Sequence, residues 1–163
     1  MSEDTFGTAL IQDKLTTIEK VVLLQNVDIF AEVPTEQLAY VASIAEELSF
    51  APDEIIYKEL DVADALYVVI SGKVEMRRDQ RDISQAGPSG AFGTWSLFDT
   101  EPRVVTAVAR EATKLLRVDR EDFLELLSDH VQITQGILKT FAGRLRHLVD
   151  KFSGDKIRGT ENK

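Results

Sequence analysis

Apolar residues recur at helical spacing at both ends of the chain and in short alternating runs between them. Leu10, Ile11, Leu15, Ile18, Val21, Val22 and Leu24 share one stripe, which predicts an amphipathic helix over residues 8 to 26. Asp28 to Val33 reads as a connector with apolar anchors, and Pro34 suits the start of a second helix, where its missing N–H costs nothing. Leu38, Val41, Ala42 and Ala45 give that helix one buried stripe, and the following Glu46-Glu47 reads as a solvated face. From Leu48 the period becomes that of strands. Phe50, Ile55, Ile56 and Tyr57, then Leu66 to Ile70, then Val74 and Met76 are β-formers parted by short polar breaks.

Gly72 stands between two strand patterns, where a tight turn needs a positive φ, and Gly87-Pro88-Ser89-Gly90 marks another turn. Val104 to Ala109 and Lys114 to Val118 supply the last strands. Many short strands between regular turns predict a barrel or jelly roll rather than an open sheet. Asp119 is placed to cap a helix with Phe123, Leu126 and Leu127 on its apolar face. Leu138, Phe141, Leu145, Leu148 and Phe152 then alternate spacings of three and four, the pattern of a seam that faces another helix or folds back on the roll. The predicted layout is an N-terminal helical extension over 1–26, a domain over 27–152, and a disordered tail over 153–163.

Composition narrows what such a domain can do. With 28 acidic and 19 basic residues, the 163-residue chain carries a formal charge of −9, which repels nucleic acid and anionic membrane. There is no cysteine for a disulfide or thiolate zinc site, and there are two histidines, His130 and His147, far apart on helical segments. Each reads as solvated or locally paired. Neither a secretory leader nor an apolar run of ~18 residues is present, so a soluble cytoplasmic protein is expected. No nucleophile with a base, metal set or working carboxylate pair stands out, so no enzyme is expected; Asp61 and Asp64 read as turn aspartates that bond their own backbone.

The segment Phe92 to Ala109 concentrates the candidate chemistry. A short helical turn beginning at Gly93 presents the N–H groups of Thr94, Trp95 and Ser96, and a lone Arg103 enters a β-branched strand through Val104 and Val105. Helix-start N–H groups carry partial positive charge, and a guanidinium adds a planar charged fork, so together they suit one phosphate. The plain alternative for Arg103 is a surface arginine paired with Glu101 or Asp99. Trp95 either stacks on a flat ligand or covers core.

This segment resembles the phosphate-binding cassette of cyclic-nucleotide-binding domains, which runs Phe-Gly-Glu-x-small-Leu and then Pro-Arg-small-Ala-Thr. Phe92, Gly93, Ser96, Leu97, Pro102, Arg103, Thr106 and Ala107 agree with it. An earlier stretch, Glu59 to Val74, is similar to that family's Glu-Gly-Asp-x-Ala-Asp motif through Asp61, Ala63, Asp64, Tyr67 and Gly72, with Leu60 in place of a glycine. The turn at Leu60 is expected to shift out of the left-handed region. The resemblance covers residues 20 to 150 and implies an α+β fold, an antiparallel jelly-roll-like β-roll of about eight strands flanked by N- and C-terminal helices.

It also implies a non-catalytic sensory domain whose ligand, cyclic AMP or cyclic GMP, binds Arg103, Gly93, Thr94, Trp95, Ser96, Val104 and Val105, with no metal and no other cofactor. Thr94 stands where the family's ribose-binding glutamate is expected. Losing a hydrogen bond to a charged group costs about 1.5–3 kcal/mol, roughly ten- to a hundredfold in affinity. The alternative is therefore a degenerate member that keeps the fold for association. The resemblance adds a homodimer through Leu138, Phe141, Leu145, Leu148 and Phe152. Regulators of this type that bind DNA carry a helix-turn-helix after the long helix, so no direct nucleic-acid partner is expected here.

Overall fold

A computed structural model describes residues 14–160 of the chain, with side chains through Gly154. Helices α1 (Thr17–Gln25) and α2 (Thr35–Ile44) flank a 3-10 turn, Asp28–Phe30. Eight strands follow among the described residues: β1 (Glu46–Phe50), β2 (Ile55–Tyr57), β3 (Ala65–Ser71), β4 (Val74–Arg78), β5 (Arg81–Ala86), β6 (Ala91–Phe92), β7 (Thr106–Ala109) and β8 (Thr113–Asp119). A second 3-10 turn, Thr94–Leu97, interrupts them, and helices α3 (Arg120–Asp129) and α4 (Val131–Thr160) close the chain. All strand pairs are antiparallel, in two four-stranded sheets ordered β1-β8-β3-β6 and β2-β7-β4-β5. This is the α+β roll that the resemblance implies, and it agrees with the barrel or jelly roll predicted from the strand spacing.

The central strands are buried on both faces, and alternation decides which core each residue joins. From β3, Leu66 and Val68 point to the helices, where they pack with Leu24, Val41, Leu116, Phe123 and Ile133. Ala65, Tyr67 and Val69 point the other way into the roll, against Tyr57, Val74, Phe92 and Leu115. Tyr67 lies opposite Phe92 in the ladder, and their rings stack with centroids 5.2 Å apart. Gly72 takes its turn at φ +95°, as its position requires.

The N-terminal helix starts later than its apolar stripe. Thr16 is the cap, its Oγ1 accepting from the Glu19 N–H at 3.2 Å while the Glu19 carboxylate accepts from the Thr16 N–H at 2.7 Å. That reciprocal box fixes Thr16 in an extended conformation, so residues 14–16 stay outside the helix; residues 8–13 of the expected helix lie outside the described residues. Ile18 and Val22 are exposed, whereas Leu24 is fully buried with Val27 in the core shared by the roll and helices. Of the segment read as an extension, α1 packs on this core through Leu24, and residues 1–13 lie outside the described residues. Nor is Glu47 merely solvated: it lies in β1, and its carboxylate accepts from the Leu15 N–H at 3.1 Å, while Lys20 Nζ donates to the Ala45 carbonyl at 2.9 Å.

At the other end, the backbone of α4 continues to Thr160, past Ser153 where the sequence pattern places a tail. Ser153 and Gly154 are weak helix formers, but extending a formed helix costs under about 1 kcal/mol per such residue and no proline stops it. None of the described helices is long and apolar enough to cross a membrane.

Candidate functional site

Two loops distant in sequence meet at Arg103. The Leu60 N–H donates to the Arg103 carbonyl at 2.8 Å, the Arg103 N–H donates to the Asp61 carbonyl at 2.9 Å, and the Glu59 N–H donates to Thr106 Oγ1 at 3.0 Å. Asp61 closes its own turn by accepting from the Lys58 N–H at 2.9 Å, as a turn aspartate should. Leu60 keeps the left-handed backbone, φ +70°, with its side chain 83% exposed, so the expected shift away from that region does not occur. The hydrogen bonds on either side fix the turn, and leucine adopts it at a cost.

Arg103 is buried, which removes the surface-pairing alternative: its side chain is 4% exposed, and neither Glu101 nor Asp99 bridges to it. Nη1 donates to Ser96 Oγ at 2.5 Å and Nη2 to the Ala65 carbonyl at 2.9 Å. The guanidinium lies over the Tyr57 ring at 4.0 Å from its centroid. The nearest carboxylate oxygen is Asp64 Oδ1 at 3.9 Å, on a side chain more than half exposed, and Arg103 Nε has no acceptor among the described residues. A buried cation left this incompletely paired is costly unless an anion completes it.

The space beside it is a cavity of about 260 Å³, just under the roughly 300–1,000 Å³ usual for small-ligand pockets. Gly93, Trp95, Ser96, Val104 and Val105 line it together with Tyr57, Asp99 and Glu101. Gly93 opens the 3-10 turn from the left-handed region, φ +73°. Of the turn's N–H groups, that of Ser96 is taken by the Gly93 carbonyl at 3.1 Å, so Ser96 serves through its hydroxyl as the rest for Arg103 instead of as a backbone donor. The N–H groups of Val104 and Val105 have no acceptor among the described residues. Trp95 is 66% exposed at the cavity wall, so it does not cover core.

Thr94 does not line this cavity. It borders a neighbouring depression with Asp28, Ile29, Trp95 and Arg144. Because a 3-10 turn has three residues per turn, consecutive residues point about a third of a circle apart, and Thr94 is turned away from the wall that Trp95 and Ser96 face. Tyr57, which the sequence marks only as a strand residue, enters through the β2–β7 pairing that sets it opposite Ala107. Burial pushes its hydroxyl pKa up, against the opposing pull of Arg103, with Tyr67 adding to the rise.

Charge continues outward from the site. Asp64 reaches Arg117 at 3.5 Å, Arg117 reaches Asp119 at 3.2 Å, and Asp119 caps α3 by accepting from the Asp122 N–H at 3.2 Å. Asp64 therefore pairs with arginines and not with its own turn. Arg144 of α4 pairs with Asp28 at 3.4 Å and Lys139 with Glu32 at 3.4 Å, tying the long helix to the first 3-10 turn and its exit. His130, at the junction of α3 and α4, stacks on Tyr40 of α2 with ring centroids 3.8 Å apart. Of the proposed seam, Phe141 packs edge-on against Phe98, both half-buried at the margin of the core, whereas Leu138, Leu145, Leu148 and Phe152 are exposed and do not fold back on the roll.

The arrangement is a β-roll that holds a buried arginine at a small cavity, with helices packed on its other side. The model of the cyclic nucleotide-binding domain matches residues 47–130. The CRP-like cAMP-activated global transcriptional regulator of Mycobacterium tuberculosis is 29% identical over 129 residues, covering 76% of this chain and 58% of that protein. The cyclic AMP receptor protein of Thermus thermophilus is 32% identical over 123 residues, covering 72% of this chain and 57% of that protein. Among solved structures, the N-terminal domain of a transcriptional regulator from Streptomyces coelicolor superposes with a TM-score of 0.73 at 33% identity, covering 78% of this chain and 95% of that one. The chain belongs to the cyclic nucleotide-binding domain family, and it spans under three fifths of the length of these curated relatives.

Proposed function

We propose that this chain is a non-catalytic sensory and regulatory domain whose ligand places a phosphate on Arg103, with cyclic AMP and cyclic GMP the first ligands to test. The observation that carries the reading is the buried Arg103 beside a cavity, its Nε without an acceptor among the described residues. The free N–H groups of Val104 and Val105 supply further donors to the same anion. Occupancy would reach the C-terminal helices by two contacts. A phosphate drawing charge from Arg103 leaves Asp64 to Arg117 and so bears on the Asp119 cap of α3, and a ligand against Trp95 bears on the depression that Arg144 shares. Isothermal titration with each nucleotide tests this. Saturable binding lost in Arg103→Ala, with the variant's thermal unfolding still cooperative, supports it; no heat at millimolar ligand overturns it.

The exposed stripe of α4 favours a second reading, an association module working as a homodimer. Leu138, Leu145 and Phe152 recur every seven residues, and Leu148 and Val149 widen the stripe. Sedimentation showing a ligand-independent dimer that Leu145→Glu dissociates supports it, and a strict monomer counts against it.

A further inference from the structure

Two of the side-chain acceptors on the cavity wall are engaged. Ser96 Oγ rests under Arg103 Nη1, and Asp99 Oδ1 accepts from the Glu101 N–H at 3.2 Å, which fastens the loop. Glu101 lines the cavity, and its carboxylate accepts no hydrogen bond and pairs with no cation among the described residues. Its position is stiff. Pro102 fixes the next φ and biases Glu101 to extended backbone, and the Arg103 N–H is pinned to the Asp61 carbonyl. A carboxylate held beside an anion site repels a plain anion. It favours a ligand that brings an O–H donor alongside its negative charge, and the buried, incompletely paired Arg103 shows where that charge sits.

We infer that Glu101 is the acceptor for a ligand hydroxyl next to the phosphate, and that it selects the cyclic phosphate of a hydroxylated sugar over a deoxy sugar or a simple anion. This inference rests on the ligand reading above. It moves the sugar contact away from position 94, which does not line the cavity.

The test is the ratio of affinities for cyclic AMP and 2′-deoxy cyclic AMP, measured by isothermal titration on the wild type, Glu101→Ala, Asp99→Asn and Arg103→Ala. Glu101 is exposed, so its variant should fold as the wild type does, and melting curves check this. The wild type should prefer the hydroxylated ligand by roughly three- to tenfold, the range of one net hydrogen bond at a partly exposed site. In Glu101→Ala that ratio should fall to about one, with the deoxy ligand binding no worse than it binds the wild type. A ratio near one in the wild type, a ratio unchanged in Glu101→Ala, or a collapse in Asp99→Asn instead overturns the inference; if binding still needs Arg103, the ligand reading stands. Absence of any binding by the wild type at millimolar ligand overturns both.

Discussion

Gly93 and Arg103 are in contact across the site: a Cβ on Gly93 would stand 2.6 Å from Arg103 Nη1 and 3.1 Å from the Ala65 carbonyl oxygen. Arg103 cannot swing aside freely, because Ser96 and Ala65 hold it and Tyr57 lies beneath its plane. Gly93→Ala also forces an L-residue to φ +73°. The two effects together should cost about 2 kcal/mol or more, seen as a melting temperature lower by roughly 4–8 °C. A variant as stable as the wild type would show that the guanidinium is not fixed where the structure has it.

Tyr57 should make the protein sensitive to alkali. Burial pushes its pKa above the ordinary 10.0, Arg103 opposing and Tyr67 adding. In the window from that ordinary value up to the raised one, the unfolded chain has released a proton that the folded chain retains, so stability falls as pH rises. Urea midpoints of the wild type should decline above about pH 10, and those of Tyr57→Phe should decline less. Parallel profiles would remove Tyr57 from the account.

Leu60 holds a glycine's conformation without being a glycine. At φ +70° and with its side chain in solvent, it gains little packing to offset the strain. Leu60→Gly should stabilise the fold by about 1 kcal/mol, the left-handed penalty less the extra entropy of an unfolded glycine. Chemical denaturation reads this directly, and a destabilised variant would mean that the leucine side chain has a partner in solution.

The cap at Thr16 should be worth about 1 kcal/mol to α1. In Thr16→Ala, amide hydrogen exchange should quicken first over Thr17 to Leu24 and leave the β3–β8 ladder protected. Uniform acceleration would place the cap's contribution in global stability instead of in this helix.

Legibility in the sequence followed the range of the interaction. Strand alternation, the Gly72 turn, the Asp119 cap and the pairing of Pro102 with Arg103 are local signals, and they located the roll and its cavity. The Thr16-x-x-Glu19 box was also written locally, but Leu10, Ile11 and Leu15 continue the same stripe upstream and mask the stop. Tyr57 was not legible, since its place under Arg103 comes from the pairing of β2 with β7 across the four strands that intervene in sequence. The turning of Thr94 away from the cavity is set by its place as the first residue of the 3-10 turn, which a family pattern of residue types does not show. Leu60 was misread because the turn is held by bonds to Arg103, over forty positions downstream.

Trp95 is the one tryptophan of the chain, and it forms a wall common to the Arg103 cavity and the Arg144 depression. The protein therefore carries its own optical probe. Indole emission from a largely solvated ring should shift to the blue when a ligand covers it from one side, and it should respond separately when α4 moves on the other. One label-free signal can thus time occupancy against helix displacement and reveal which comes first.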